Sequence, residues 1–63
     1  MKLYVIQDYE AALLAPDVKD LAEAKVEAGT YVKDQVGESK EFFTSKGHYF
    51  KCVLEYTTIC TNF

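Results

Sequence analysis

"KEFFTSKGHYFKCVLEY", residues 40–56, decides the fold. Two runs rich in aromatic and apolar residues flank Ser45-Lys46-Gly47. Such runs around a short loop containing glycine read as a β-hairpin. A three-residue loop with Gly47 in the left-handed conformation sets the register. It pairs Thr44 with His48, Phe43 with Tyr49, Phe42 with Phe50 and Glu41 with Lys51. One choice of turn thus yields two aromatic pairs and an opposite-charge pair, which stabilise neighbouring strands. On the second strand the even positions are His48, Phe50, Cys52, Leu54 and Tyr56, and these form the expected core face. The odd positions are mixed, yet they carry Tyr49 and Val53, with Phe43 beside them across the hairpin.

Working toward the N-terminus, "TYVKDQV" (residues 30–36) reads as a weaker strand, or as a continuation of the helix before it. That helix is "PDVKDLAEAKVEAG", residues 16–29. Pro16 suits its entry, Asp17 its N-cap, and Gly29 its C-terminal stop. Val18, Leu21, Ala22, Ala24 and Ala28 share its apolar face, with Val26 at the margin. Asp20, Glu23 and Glu27 lie on the polar face, with Lys19. "AALLAP" bridges back to a first strand, "KLYVIQDYE" (residues 2–10), with room for a helical turn of its own. Leu3 and Val5 oppose Tyr4 and Ile6, so this strand is apolar on both faces and belongs inside a sheet. The expectation is one α+β domain spanning residues 1–63, in the order β-α-β-β-β. An antiparallel sheet carries one helix on one face, with Phe42, Phe50, Leu54 and Leu21 in the core.

One helix covers one face of such a sheet, while the apolar residues fall on both. The uncovered side chains predict an interaction surface. Phe43, Tyr49, Lys51 and Val53 are its candidate residues. The apolar ending "TTICTNF" (residues 57–63) adds a possible strand edge that recruits another chain. The acidic helix face of Asp20, Glu23 and Glu27 is a further candidate, able to imitate a phosphate row. The expected partner is a protein, with a homodimer as the alternative.

Other chemistries find little support. The formal net charge is -3, which disfavours duplex nucleic acid, whose binding rests on Lys and Arg. No apolar run is long enough for a signal peptide or a bilayer span, so no membrane role and a cytoplasmic location are expected. Thiols stay reduced there. If Cys52 and Cys60 lie eight apart on one continuous strand, they are too far apart to bridge, and a disulfide would need the chain to fold back near Thr57-Thr58; two separate small core residues are the expectation. His48, Cys52 and Cys60 lack the paired spacing of zinc ligands, so neither metal nor cofactor is expected. Carboxylates are not tied to a cleft by any motif, so the chain is not expected to be an enzyme.

"KGHYFKCVLEY" (residues 46–56) loosely resembles the aromatic strand of RNA-recognition motifs, K-G-[FY]-[GA]-F-V-x-[FY]. Lys46, Gly47 and Phe50 match, while His48 and Tyr49 depart from the pattern. The resemblance implies a single-stranded nucleic-acid binder, which here would use Tyr49, Phe43 and Lys51. In size and layout the whole chain resembles the small acidic α+β proteins that phages make to inhibit host machinery, anti-CRISPRs among them. That resemblance implies stoichiometric inhibition of a nucleic-acid-processing or defence complex in a host cytoplasm, and it assigns no residue.

Overall fold

The computed structural model describes residues 1–62 and contains the expected hairpin. Strands β3 (Lys40–Thr44) and β4 (Tyr49–Leu54) pair Phe42 with Phe50, Phe43 with Tyr49 and Glu41 with Lys51. Gly47 takes φ 85°, and the Thr44 N–H donates to the His48 carbonyl at 2.9 Å. The hairpin sits within a five-stranded antiparallel sheet ordered β2-β1-β3-β4-β5. Strand β1 spans Leu3–Gln7 and lies inside the sheet, as its two apolar faces require.

The fold class is the one expected, α+β with a helix on one face of an antiparallel sheet. The structure adds a strand, β2 (Glu10–Ala15), where "AALLAP" reads as a bridge. Asp8 and Tyr9 both take positive φ, 52° and 66°. Two successive left-handed residues make the tight turn that matches strand twist, and it returns the chain along β1. Between the pairs Leu3–Ala15 and Tyr4–Leu13 the register shifts at Leu14. This bulge lets Leu14 and Ala15 both pack against the core.

Helix α1 (Leu21–Tyr31) begins later than expected. Its N-cap is Asp20, not Asp17: the Asp20 Oδ1 accepts from the Glu23 N–H at 2.9 Å. Gly29 is not a stop. It lies buried within α1, and the chain continues as one wider π turn over Val32–Val36. The helical alternative for residues 30–36 is thus the correct one. Gly37, at φ 74°, ends the element and donates to the Val32 carbonyl at 2.8 Å.

The core lies between α1 and the sheet face carrying Leu3, Val5, Phe42, Phe50 and Cys52. Val18, Ala24, Ala28 and Val32 close it from the helix side. Phe42 and Phe50 are fully buried as expected, whereas Leu54 and Leu21 pack at the margin. Ala22 and Val26 face outward, because the buried stripe of Ala24, Ala28, Gly29 and Val32 centres on the line of Leu21, and at about 100° per residue both fall beyond its edge.

The cysteines correct a further expectation. Residues 48–60 do not form one strand: the chain reverses over Glu55–Thr57 and returns as β5 (Thr58–Asn62). Cys52 and Cys60 become direct partners, with Cα atoms 4.0 Å apart, and form a disulfide. A chain reversal cancels the separation that an extended strand would impose.

Candidate interaction surface

Pairing across the sheet aligns side chains into rows on the face opposite α1. Tyr4 is the partner of both Leu13 on β2 and Phe43 on β3, and Phe43 is the partner of Tyr49 on β4. Four apolar side chains thus cross four strands in one line. Tyr4 and Phe43 stack with ring centroids 4.9 Å apart, and Phe43 and Tyr49 with centroids 5.5 Å apart. A second row runs through Ala11, Ile6, Glu41, Lys51 and Thr61. Val53 and Ile59 form a third contact on the same face.

The face remains open to solvent in part. Leu13, Tyr49 and Ile59 are 53%, 52% and 54% exposed. Tyr4, Ile6, Phe43 and Val53 are half-buried, with no helix over them among the described residues. Large apolar side chains left in contact with water across a whole sheet face are unusual in an isolated domain.

Four of the candidate residues come together here: Phe43, Tyr49, Lys51 and Val53 share the open face. Asp20, Glu23 and Glu27 do not join them, because they lie on α1 across the sheet. Two of those three carboxylates also work within the helix. Asp20 caps α1, and the Glu23 carboxylate accepts the Lys19 N–H. The Asp20 bond satisfies an N–H that the helix start leaves without a partner, and the Glu23 bond ties down the residue just before the cap. Glu27 stays exposed.

Tyr4, Ile6, Leu13 and Ile59 complete the face and are absent from the sequence-based candidates. The two-sided apolar character of β1 signals Tyr4 and Ile6. Leu13 and Ile59 have no local signal, because their placement depends on β2 and β5 pairing at the sheet edges.

The strand resembling an RNA-recognition motif places its matching aromatic elsewhere. Phe50 is fully buried and stacks on Phe42 at 5.5 Å beneath α1. Both cysteines of the H-x3-C-x7-C pattern are committed to each other, so they are not free thiolate ligands. Among the described residues, no helix is long and apolar enough to cross a membrane. No family model matches the chain, and neither a curated protein nor a solved structure does.

Proposed function

We propose that this chain is a non-enzymatic binding module that docks a partner protein on the open face of its sheet. The observation supporting this is the line Leu13–Tyr4–Phe43–Tyr49 on the face away from α1, with Val53 and Ile59 on the same face beyond the Glu41–Lys51 row. Aromatic side chains contribute heavily to small interfaces, because they bury large areas with few rotors to freeze. Here their mutual stacking holds them in place before a partner arrives, which lowers the ordering cost of association. Glu41 and Lys51 cross the same face in the next row, between the aromatic line and the Val53–Ile59 pair, and place one charge of each sign within it.

A single-stranded nucleic-acid platform is the second reading, and the ring geometry weighs against it. Base stacking needs ring faces turned toward the ligand. Interplanar angles of 14° and 24° turn the faces of Tyr4, Phe43 and Tyr49 mainly toward one another. A homodimer through the same face is the third reading. The size and layout suggest the target class, a nucleic-acid-processing or defence complex of a phage host, inhibited by occupancy. A cytoplasmic setting belongs to this reading on one condition, that Cys52–Cys60 exchanges slowly with cellular thiols. Cys52 is buried and Cys60 half-buried, and exchange requires access to a sulfur.

The test uses Tyr49→Ala and Phe43→Ser in the whole chain. Each variant should keep its circular dichroism spectrum and lose the partner that the parent protein captures from nuclease-treated lysate. Unfolding of both would make this face core. Capture that nuclease abolishes would favour the nucleic-acid reading, and a concentration-dependent dimer with nothing captured would favour the homodimer.

A further inference from the structure

A second surface lies on the other side of the sheet, at the edge strand β5. A groove of about 530 Å³ runs between this strand and the outer flank of the helical segment. Lys25, Val26, Gly29 and Lys33 line one wall, and Thr58 and Cys60 line the other. The helix sits close over the strand. A Cβ added at Gly29 would lie 3.2 Å from the Thr58 Oγ1, and the Cys60 Sγ lies 3.6 Å from the Lys25 carbonyl oxygen. A bridged sulfur carries no proton, so the second approach is packing rather than a hydrogen bond.

The register shows which main-chain groups face this groove. In antiparallel pairing, close Cα pairs are those that exchange no hydrogen bonds. Cys52 and Cys60, 4.0 Å apart, are such a pair. By alternation Leu54–Thr58 and Phe50–Asn62 are of the same kind. The N–H and C=O groups of Thr58, Cys60 and Asn62 therefore point away from β4, toward the free edge. Ile59 and Thr61 bond inward.

Proteins usually guard such an edge. The opposite edge, β2, carries Glu10 and a bulge. Strand β5 reads TICTN, with no charge, no proline and an unbroken register. The disulfide fastens it to β4, so the edge is held in shape. The groove is also cationic. Lys25 and Lys33 outnumber Asp34 along it, in a chain of formal net charge -3. The ion pair found among the described residues involves neither lysine; it joins Lys40 to Glu38 at 3.1 Å.

We infer that the β5 edge accepts an extended segment of another protein as a sixth strand, with a carboxylate side chain of that segment facing Lys25 and Lys33. Main-chain pairing to Thr58, Cys60 and Asn62 supplies affinity, and the lysines supply the preference for acidic side chains. This surface goes beyond the open-face reading and does not depend on it.

The probe is an acetylated, amidated peptide of about ten residues alternating valine and glutamate, long enough to span an edge strand. Its counterpart replaces glutamate with lysine. The glutamate peptide should shift the amide NMR signals of Thr58, Cys60 and Asn62 more than those of Ile59 and Thr61. It should bind at least about tenfold more tightly than the lysine peptide. The double variant Lys25→Glu/Lys33→Glu should reverse that preference. Asn62→Pro removes one outward N–H without touching the inward bonds of Ile59 and Thr61, and should weaken binding. Equal affinity for the two peptides, or no binding, overturns the inference. So does a dimer showing the same shifts without peptide, since the occupant would then be a second copy. Phe43→Ser and Tyr49→Ala should leave peptide affinity unchanged. If either folded variant abolishes it, the peptide lies on the open face, and this inference fails while the open-face reading stands.

Discussion

Phe50 shows how one side chain can decide between two readings of the same strand. Its neighbours make it resemble an exposed stacking residue, yet its even position turns it inward onto Phe42. Phe50→Ala should cost roughly 3–5 kcal/mol, the range for emptying a large aromatic from a packed core. That is a large part of the stability a small domain has, so the variant should be mostly unfolded by urea melting at room temperature. Asp20 is a smaller case. Its carboxylate satisfies the Glu23 N–H at the start of α1, so Asp20→Ala should cost about 1 kcal/mol, read as a lower urea midpoint with an unchanged slope. Asp17 looks equally suitable in sequence, since proline precedes it and an apolar pattern follows. Only the hydrogen bond distinguishes them.

At the scale of elements, legibility followed the strength of local signals. The β3–β4 hairpin could be read because Gly47 fixes the turn and two aromatic pairs then agree with it. Strand β1 could be read from its two apolar faces. Strand β2 could not. Its alanines and leucines favour a helix in isolation, and what makes them a strand is the Asp8-Tyr9 turn, which lacks the usual glycine or asparagine. Strand β5 could be read as a strand edge in "TTICTNF", but the reversal that pairs it with β4 could not. The reversal at Glu55-Tyr56-Thr57 contains none of the residues that normally mark a turn. The disulfide depends on that same reversal, which brings Cys52 and Cys60 opposite each other. Four of the open-face residues were legible from alternation alone, but the edges of that face depended on β2 and β5. The bridge has a measurable consequence. It closes a loop across a sequence separation of 8, for which chain entropy gives roughly 2–3 kcal/mol of stabilisation. Cys52→Ala/Cys60→Ala should lower stability by about that amount. Amide exchange should speed up most in β5, which would lose its covalent tie to β4. Uniform acceleration through β1 and β3 as well would mean that the sheet opens as one unit.

The whole molecule separates two kinds of surface. On one side is a largely apolar sheet face; on the other, between α1 and β5, a groove with two lysines. Physical chemistry gives them different responses to salt. Burial of apolar area is not screened, whereas attraction between solvent-exposed charges weakens once the Debye length falls below their separation. A complex formed on Tyr4, Phe43 and Tyr49 should therefore lose little affinity between about 0.1 and 0.5 M sodium chloride. Binding of the glutamate peptide at β5 should weaken over that interval. The charge map also limits what a duplex can do. Lys51 lies beside Glu41 on the open face, Lys40 is paired with Glu38, and Lys25 and Lys33 line the groove. These cations do not form a continuous track, and the formal net charge of -3 repels a phosphate backbone. In a mobility-shift titration at physiological salt, duplex DNA and duplex RNA should run unretarded at protein concentrations that saturate the protein partner. A retarded duplex whose affinity falls steeply as salt rises would show that phosphates are being neutralised. Lys25→Glu/Lys33→Glu would then be the first variant to examine, since it removes the two cations of the groove without altering the sheet face.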